Sequence, residues 1–459
     1  MSGPRVPQAT RSQWGLLVLA STAFVLSTDL TMVNLALGPI QLDLHCSRTQ
    51  LGWVVDAYSM AMVSLLIVAN PLAERWGQRR IFLVGLVGFG IGSLLAGIGQ
   101  QIGLLIAGRL IMGLGAAGML APGQLLTTAL FPPEQRTPAF AAWSSAGALG
   151  LCLGPLLGGV LVSHWGWPVV FLINPPLVLA WLLIGVRVLP ETAGNRDKRM
   201  DGPSVLLSSL GLSLSLGGLL QGPKLGWTSP WLAIDLLTGI GLLMVFLWRQ
   251  RQLQQPLLNL ETWQQARVRQ GLIGLFAMTI SFNGAQFVAV LRLQEAGWSP
   301  LGIGSLLAPY AVVVWLASRA ATPMARHFRS AALIRLAHGP LILGFLLLGT
   351  GGSQAQLGLI CGLALLLSGL GQGLLSPIAT VQTYNAMAES QLSSGTSLAM
   401  LARFLGASVG VAALDAALAG SGRFSISGAL GAILVASCWQ LAGGCAAGQT
   451  QQSRSVEEG

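Results

Sequence analysis

The chain has 459 residues, of which 53% are hydrophobic and 9% charged, against about one quarter charged in a soluble domain. That balance excludes a water-soluble globular domain and leaves an all-α polytopic membrane protein. The formal net charge of +10 does not point to nucleic acid, because the basic residues fall in alternate loops and so report topology.

Uncharged or nearly uncharged runs recur at 14–36, 51–72, 81–99, 103–129, 139–163, 169–189, 203–222, 230–248, 270–291, 301–321, 331–350, 356–378, 394–418 and 426–444. There are about fourteen, each long enough to cross a hydrocarbon core of roughly 30 Å. Two charged breaks, 190–202 and 249–269, bracket a pair of these runs. The chain is therefore expected to divide into a cytoplasmic N-terminus (1–13), an N-terminal six-helix bundle (14–189), a linker with two accessory helices (190–268), a C-terminal six-helix bundle (269–444) and a cytoplasmic tail (445–459). Arginines such as Arg11, Arg75, Arg79, Arg80, Arg136 and Arg249 crowd one set of loops, while the other set holds only Arg48, Lys224, Arg292 and Arg423. The positive-inside rule then puts both termini in the cytoplasm, with the chain in the inner (plasma) membrane. The first run is too long for a signal-peptide core, so it is expected to stay as the first span. Neither a disulfide, a metal-ligand cluster, a P-loop nor a nucleophile–base arrangement is legible, so no enzyme and no cofactor is expected.

In chain order, the first group able to carry chemistry is Asp29, near the middle of the first span in Thr28–Leu37 (TDLTMVNLAL). An ionised carboxylate at that depth costs several kcal/mol unless paired or hydrated, which suits it to take up and release a proton. Asp56 sits a turn or two inside the second span, and Arg109 enters the fourth span from the same side to a similar depth. An Asp56–Arg109 ion pair is thus geometrically possible, serving either helix register or the handling of substrate and protons. The loop from Asn70 to Arg80 (NPLAERWGQRR) carries Gly77 for a tight turn, with Glu74 able to pair with Arg75, Arg79 or Arg80 or to cap a helix N-terminus, and charges here can latch one conformation. In the fifth span, 150–159 reads GLCLGPLLGG. Pro155 removes a backbone hydrogen bond and bends the helix, while Gly150, Gly154, Gly158 and Gly159 let another backbone come close.

The second half is sparser. Asn283 and Gln286, one turn apart, are placed either to hydrogen-bond a substrate or to bond a neighbouring helix. Asp235 and Asp415 fall near outer span ends, and Arg403 lies deeper, where helix packing, a lipid-headgroup contact and function all remain open. Most tryptophans near span ends read as interfacial anchors.

Taken in order, these segments resemble the fourteen-span drug:proton antiporter branch of the major facilitator superfamily, the EmrB/QacA type. The resemblance implies a major facilitator fold of about 14 transmembrane helices, two six-helix bundles plus an accessory pair, working by alternating access. It implies proton coupling through Asp29, with Asp56 and Arg109 assisting, and a substrate cavity including Asn34, Met112, Asn283 and Gln286. It further implies a gating antiporter motif at Gly150, Gly154, Pro155, Gly158 and Gly159, and a cytoplasmic latch at Glu74, Arg75, Gly77, Arg79 and Arg80. The chain departs from the pattern at Gly38–Pro39, at Met112, where the family often has glutamine, and at Asn70 and Glu74 in the latch. The expected activity is proton-coupled efflux of hydrophobic or cationic small molecules. Its partners are then the solute, protons and the lipid bilayer, with periplasmic or outer-membrane export partners left open. A dedicated exporter of one metabolite, or a receptor or scaffold that keeps the fold without transport, are the alternatives.

Overall fold

A computed structural model describes residues 8–195, 197, 200–226, 228–298, 300–327, 330–348, 350, 354–388 and 391–421. Among these the secondary structure is helical: α1 (Gln8–Leu44), α2 (Arg48–Trp76), α3 (Gln78–Ile98), α4 (Ile102–Leu130), α5 (Pro133–Trp165), α6 (Pro168–Leu172), α7 (Asn174–Val188), α8 (Gly202–Leu225), α9 (Pro230–Gln250), α10 (Glu261–Gln264), α11 (Ala266–Glu295), α12 (Pro300–His327), α13 (Ser330–Leu348), α14 (Gln354–Asn385) and α15 (Leu392–Ser421). Among the described residues eleven helical segments, one of them α6 and α7 together, are long and apolar enough to cross a membrane, or twelve with α5 counted as one bent span.

Local chemistry explains the breaks. Ser47 and Gln50 close a capping box at the start of α2, each satisfying the other's backbone donor. Gly77 ends α2 and opens α3 at φ 97°, a left-handed conformation that a side chain would strain. The expected sixth span is interrupted at Ile173 because Pro175 and Pro176, at the start of α7, have no N–H to continue α6. The two halves of α5, Pro133–Leu151 and Leu153–Trp165, are bent by 42°. Pro155 removes the hydrogen bond to the carbonyl of Leu151, where the first half ends. In α13 the apolar stretch Leu336–Leu348 is shorter than a full crossing, and the expected span at 426–444 lies outside the described residues.

Polarity runs opposite to that of a soluble protein. Outward faces are apolar, with Leu237 72% and Val84 66% exposed, while Asp29, Asn70, Arg109, Gln124 and Asn174 are buried. An apolar exterior of this extent belongs in hydrocarbon.

The chain forms two compact units: unit 1 comprises Met1–Gly218, Pro230–Leu260 and Glu389–Met400, and unit 2 comprises Leu219–Ser229, Glu261–Ala388 and Leu401–Gly459. In unit 1, α4 packs against both α2 and α3, and α5 packs along α1. In unit 2, α14 packs against α11, α12 and α13. The close approaches repeat. A Cβ on Gly113 of α4 would meet the Tyr58 carbonyl, Ala61 Cβ and Met62 N of α2. A Cβ on Gly373 of α14 would meet the Val314 carbonyl, Ala317 Cβ and Ser318 N of α12, the same i, i+3, i+4 pattern. Likewise Gly150 of α5 faces the Phe24 carbonyl of α1, and Gly406 of α15 faces the Phe276 carbonyl of α11. Small residues at these seams bring backbones into contact, which is how helices associate where lipid removes the hydrophobic drive.

Candidate functional site

The centre of unit 1 is a buried ion pair. The Nη1 of Arg109, on α4, donates to Asp29 Oδ2 on α1 at 2.5 Å, and both side chains are inaccessible to solvent. Arg109 Nε donates to the Val54 carbonyl of α2 at 2.9 Å, its guanidinium carbon stands 4.4 Å from the centre of the Tyr58 ring, and Met112 Sδ lies 3.8 Å from Nη1. One cation therefore ties three helices, through a charge, a backbone oxygen and an aromatic face. The pair meets at a single point: Asp29 Oδ1, Arg109 Nη2 and the Tyr58 hydroxyl are buried without a hydrogen-bond partner among the described residues.

The sequence allowed Asp56 as a partner for Arg109, and the carboxylate that Arg109 meets is that of Asp29. Helix geometry gives the reason. Val54 and Tyr58, four residues apart, share the face of α2 that contacts Arg109, whereas Asp56 is about 200° round the helix from Val54. Asp56 is buried on α2 all the same, at 8% exposure. Tyr58 is the residue that sequence reasoning passed over, and its i+4 relation to Val54 was the available signal.

The glycine-rich segment of α5 presses on the α1 stretch that carries Asp29. A Cβ on Gly150 would meet the Phe24 carbonyl, Ser27 Cβ and Thr28 Oγ1. One on Gly154 would meet Thr31 Oγ1 and the Thr28 carbonyl, and one on Gly158 would come within 2.6 Å of Met32 Cγ. Gly159 differs, since its nearest neighbour is Leu35 Cδ1 at an ordinary 3.7 Å. Thr28 spends its hydroxyl on the Phe24 carbonyl at 2.8 Å, so the seam offers no loose polar group there.

The loop between α2 and α3 is tied to the segment following α7. Arg79 donates to the Leu189 carbonyl at 3.3 Å and to Glu191 at 2.5 Å. Arg11 donates to the Val188 and Leu189 carbonyls, so two cations cover the last carbonyls of α7. Gln78 N–H donates to Thr192 Oγ1 at 2.7 Å, and Asn195 N–H to the Glu74 carbonyl at 2.8 Å. A Cβ on Gly77 would stand 2.6 Å from the Thr192 carbonyl, a second reason for glycine there. Arg75 lies over the Trp76 ring and Arg80 is exposed. Asn70, the departure in this loop, donates to Thr396 Oγ1 at 2.6 Å.

The expected cavity residues come from both units. Asn34 is exposed, with its amide on the Leu30 carbonyl at 3.4 Å, and Met112 is fully buried beside Arg109. In unit 2, Asn283 donates to the Thr279 carbonyl of its own helix at 3.0 Å, and Gln286 is half-buried. Two further polar arrangements were not read from the sequence. Asp201 caps α8 through Ser204 and accepts from Nε and Nη2 of Arg249 at 2.7 and 2.8 Å, which hold its carboxyl well below the ordinary range. In the other unit, Arg403 of α15 donates to Ser376 and Thr380 of α14. Among the described residues no group of three His, Cys, Asp or Glu side chains could hold a metal ion.

Apolar-faced helices around buried polar groups define an integral membrane protein. The chain matches the Major Facilitator Superfamily over residues 19–208 and again over 204–411, and it belongs to that family, whose members are transporters and not enzymes. It is similar to the multidrug resistance protein Stp of Mycobacterium tuberculosis, 29% identical over 414 residues that make up 88% of this chain and 76% of that one. It is also similar to the methylenomycin A resistance protein of Streptomyces coelicolor, 29% identical over 92% of this chain and 89% of the relative. The human organic anion transporter MFSD10 shares the fold, with a TM-score of 0.65 at 17% identity over 95% of this chain and all of that one.

Proposed function

We propose that the chain is a proton-coupled efflux antiporter of the fourteen-span branch, exporting hydrophobic or cationic small molecules across the inner membrane by alternating access, with both termini in the cytoplasm. The observation that carries this reading is the single-point Asp29–Arg109 pair, buried between α1 and α4, with the α5 glycines packed against the same stretch of α1. A carboxylate held away from water by one cation has two accessible states. Ionised, it is bound to Arg109 by charge; protonated on Oδ1, it gives up most of that attraction and keeps only a neutral acceptor, Oδ2, for Arg109 Nη1, while Nε stays on the Val54 carbonyl. The three α1-facing glycines of α5 make the position of α1 sensitive to that change, because close-packed seams shift between discrete arrangements rather than yielding gradually. A proton entering down its gradient would thus bias the carrier toward one face, and a cationic solute would compete with the proton for the same negative charge. Drug and antibiotic resistance in the names of the relatives supports small-molecule export. In this reading Asp56 adds a second acidic group to the coupling site, Asn34, Met112, Asn283 and Gln286 contribute to the substrate path, and the loop from Glu74 to Arg80 latches one conformation.

The test is transport in proteoliposomes with an imposed pH gradient and a fluorescent lipophilic cation. The wild-type chain is expected to move the cation against the proton gradient. Asp29→Asn is expected to abolish the proton dependence while leaving reconstitution unchanged. Undiminished proton-driven transport by Asp29→Asn would remove this residue from the coupling.

A further inference from the structure

Unit 2 contains a cation that the transport reading leaves without work. Arg403 stands eleven residues into α15, about 16 Å along the helix from Leu392. Its Nη1 donates to Ser376 Oγ at 3.4 Å and its Nη2 to Thr380 Oγ1. Thr380 in turn donates its own proton to the Ser376 carbonyl at 2.6 Å, so the hydroxyl is fixed to accept. Ser376 and Thr380 are buried, at 6% and 2% exposure, while Arg403 itself is partly accessible. The Nε of Arg403 is buried with no hydrogen-bond partner among the described residues.

Among the described residues no carboxylate pairs with Arg403. Arg109 in unit 1 is answered by Asp29, whereas the acceptors found for Arg403 are neutral hydroxyls. The sequence explains it: no acidic residue occurs between Glu295, the last residue of α11, and Glu389. On α15 itself the acid is Asp415, twelve residues and about 18 Å further along the helix axis. A guanidinium has five N–H donors and stays protonated. Partly buried and met only by neutral hydroxyls, its charge is left uncompensated, and a ligand carrying one negative charge at its accessible edge would add charge-assisted hydrogen bonds from the remaining N–H groups.

We propose that Arg403, framed by Ser376 and Thr380, is an anion-binding subsite that receives the carboxylate of a transported amphipathic acid. The proposal rests on the efflux reading for the source of the ligand and extends its substrate class from hydrophobic and cationic molecules to acids and zwitterions. Arg403 is then a specificity residue, separate from the Asp29–Arg109 pair.

The experiment uses the full chain in phosphatidylcholine nanodiscs, with a dansylated hydrophobic amino acid and its methyl ester as fluorescent probes. The acid is expected to bind about tenfold or more tightly than the ester, the weight of a hydrogen bond to a charged group. Arg403→Gln is expected to erase that preference with the ester's Kd unchanged, and Arg403→Lys to restore part of it. Equal binding of acid and ester by the wild-type chain, or an equal loss of both in Arg403→Gln, would overturn the proposal, the latter marking a purely packing role. Nanodiscs containing phosphatidylglycerol separate the two sources of anion: a preference that survives supports the solute subsite, and one that vanishes assigns the site to lipid headgroups and overturns it. An intact acid preference in a chain that fails to transport either probe would sink the efflux reading and leave the subsite standing.

Discussion

Alanine substitution along the glycine segment of α5 separates contact from motif membership. At Gly154 the added Cβ would lie 2.9 Å from the Thr28 carbonyl and 3.1 Å from Thr31 Cβ, in addition to meeting Thr31 Oγ1. Backbone cannot rotate away as a side-chain tip can, so α1 and α5 must separate by several tenths of an ångström. Overpacking of this kind costs about 1–3 kcal/mol. Gly158 is comparable, with Met32 Cα and carbonyl both at 3.1 Å, although Met32 Cγ at 2.6 Å belongs to a flexible chain and yields more easily. Gly159 has only Leu35 Cδ1 at 3.7 Å, and alanine there is expected to change stability by less than about 0.5 kcal/mol. The assay is thermal unfolding in detergent followed by fluorescence-detected size exclusion, beside transport in vesicles. Gly154→Ala is expected to lower the melting temperature and to depress transport, Gly158→Ala to do so less, and Gly159→Ala to match wild type in both. A Gly159→Ala variant as damaged as Gly154→Ala would refute the reasoning, because the residues would then matter for some property other than closeness to α1.

Two further outcomes follow from the charged groups. Arg109→Gln leaves Asp29 buried opposite a neutral amide and is expected to destabilise the chain by about 3–5 kcal/mol. Adding Asp29→Asn should recover a measurable part of that loss in the same melting assay; a double variant no better than the single one would mean that the pair contributes nothing to stability. Asp201→Asn removes the anion from the α8 cap and from Arg249, at a cost of about 1 kcal/mol near neutral pH. The Asp201 carboxyl is held below its ordinary value by Arg249 and Ser204. Its contribution is therefore complete above the unfolded value of about 3.9 and fades as pH falls below it. Melting curves of wild type and variant should converge in that acid range and stay apart at pH 6.

The spans were legible because burial in hydrocarbon writes itself as uninterrupted apolar sequence, and the helices α1 to α5 stand close to where that pattern puts them. Asp29 and Arg109 were legible one by one, since a charge inside such a run announces its own cost. Their pairing was not. It depends on which side of α2 faces α4, and Val54, whose carbonyl settles the matter, contributes an atom that every residue possesses. Arg403 shows the same limit from the other direction. Its presence in a span was plain, but its two hydroxyl partners come from α14, and Ser376 and Thr380 are ordinary residues in an apolar helix. The split of the sixth span at Ile173 could have been anticipated from the consecutive prolines, whereas the four glycines of α5 looked equivalent until the positions of α1 atoms distinguished Gly159 from the rest.

The hold of Val54 on the arginine has one more implication, for how this carrier can change over generations. A peptide oxygen has no codon of its own. Substituting side chains along α2 can reshape what the carrier admits without dislodging the cation, so long as the helix remains a helix. Solute preference is thereby left free to drift while the perch of the charge is inherited with the backbone.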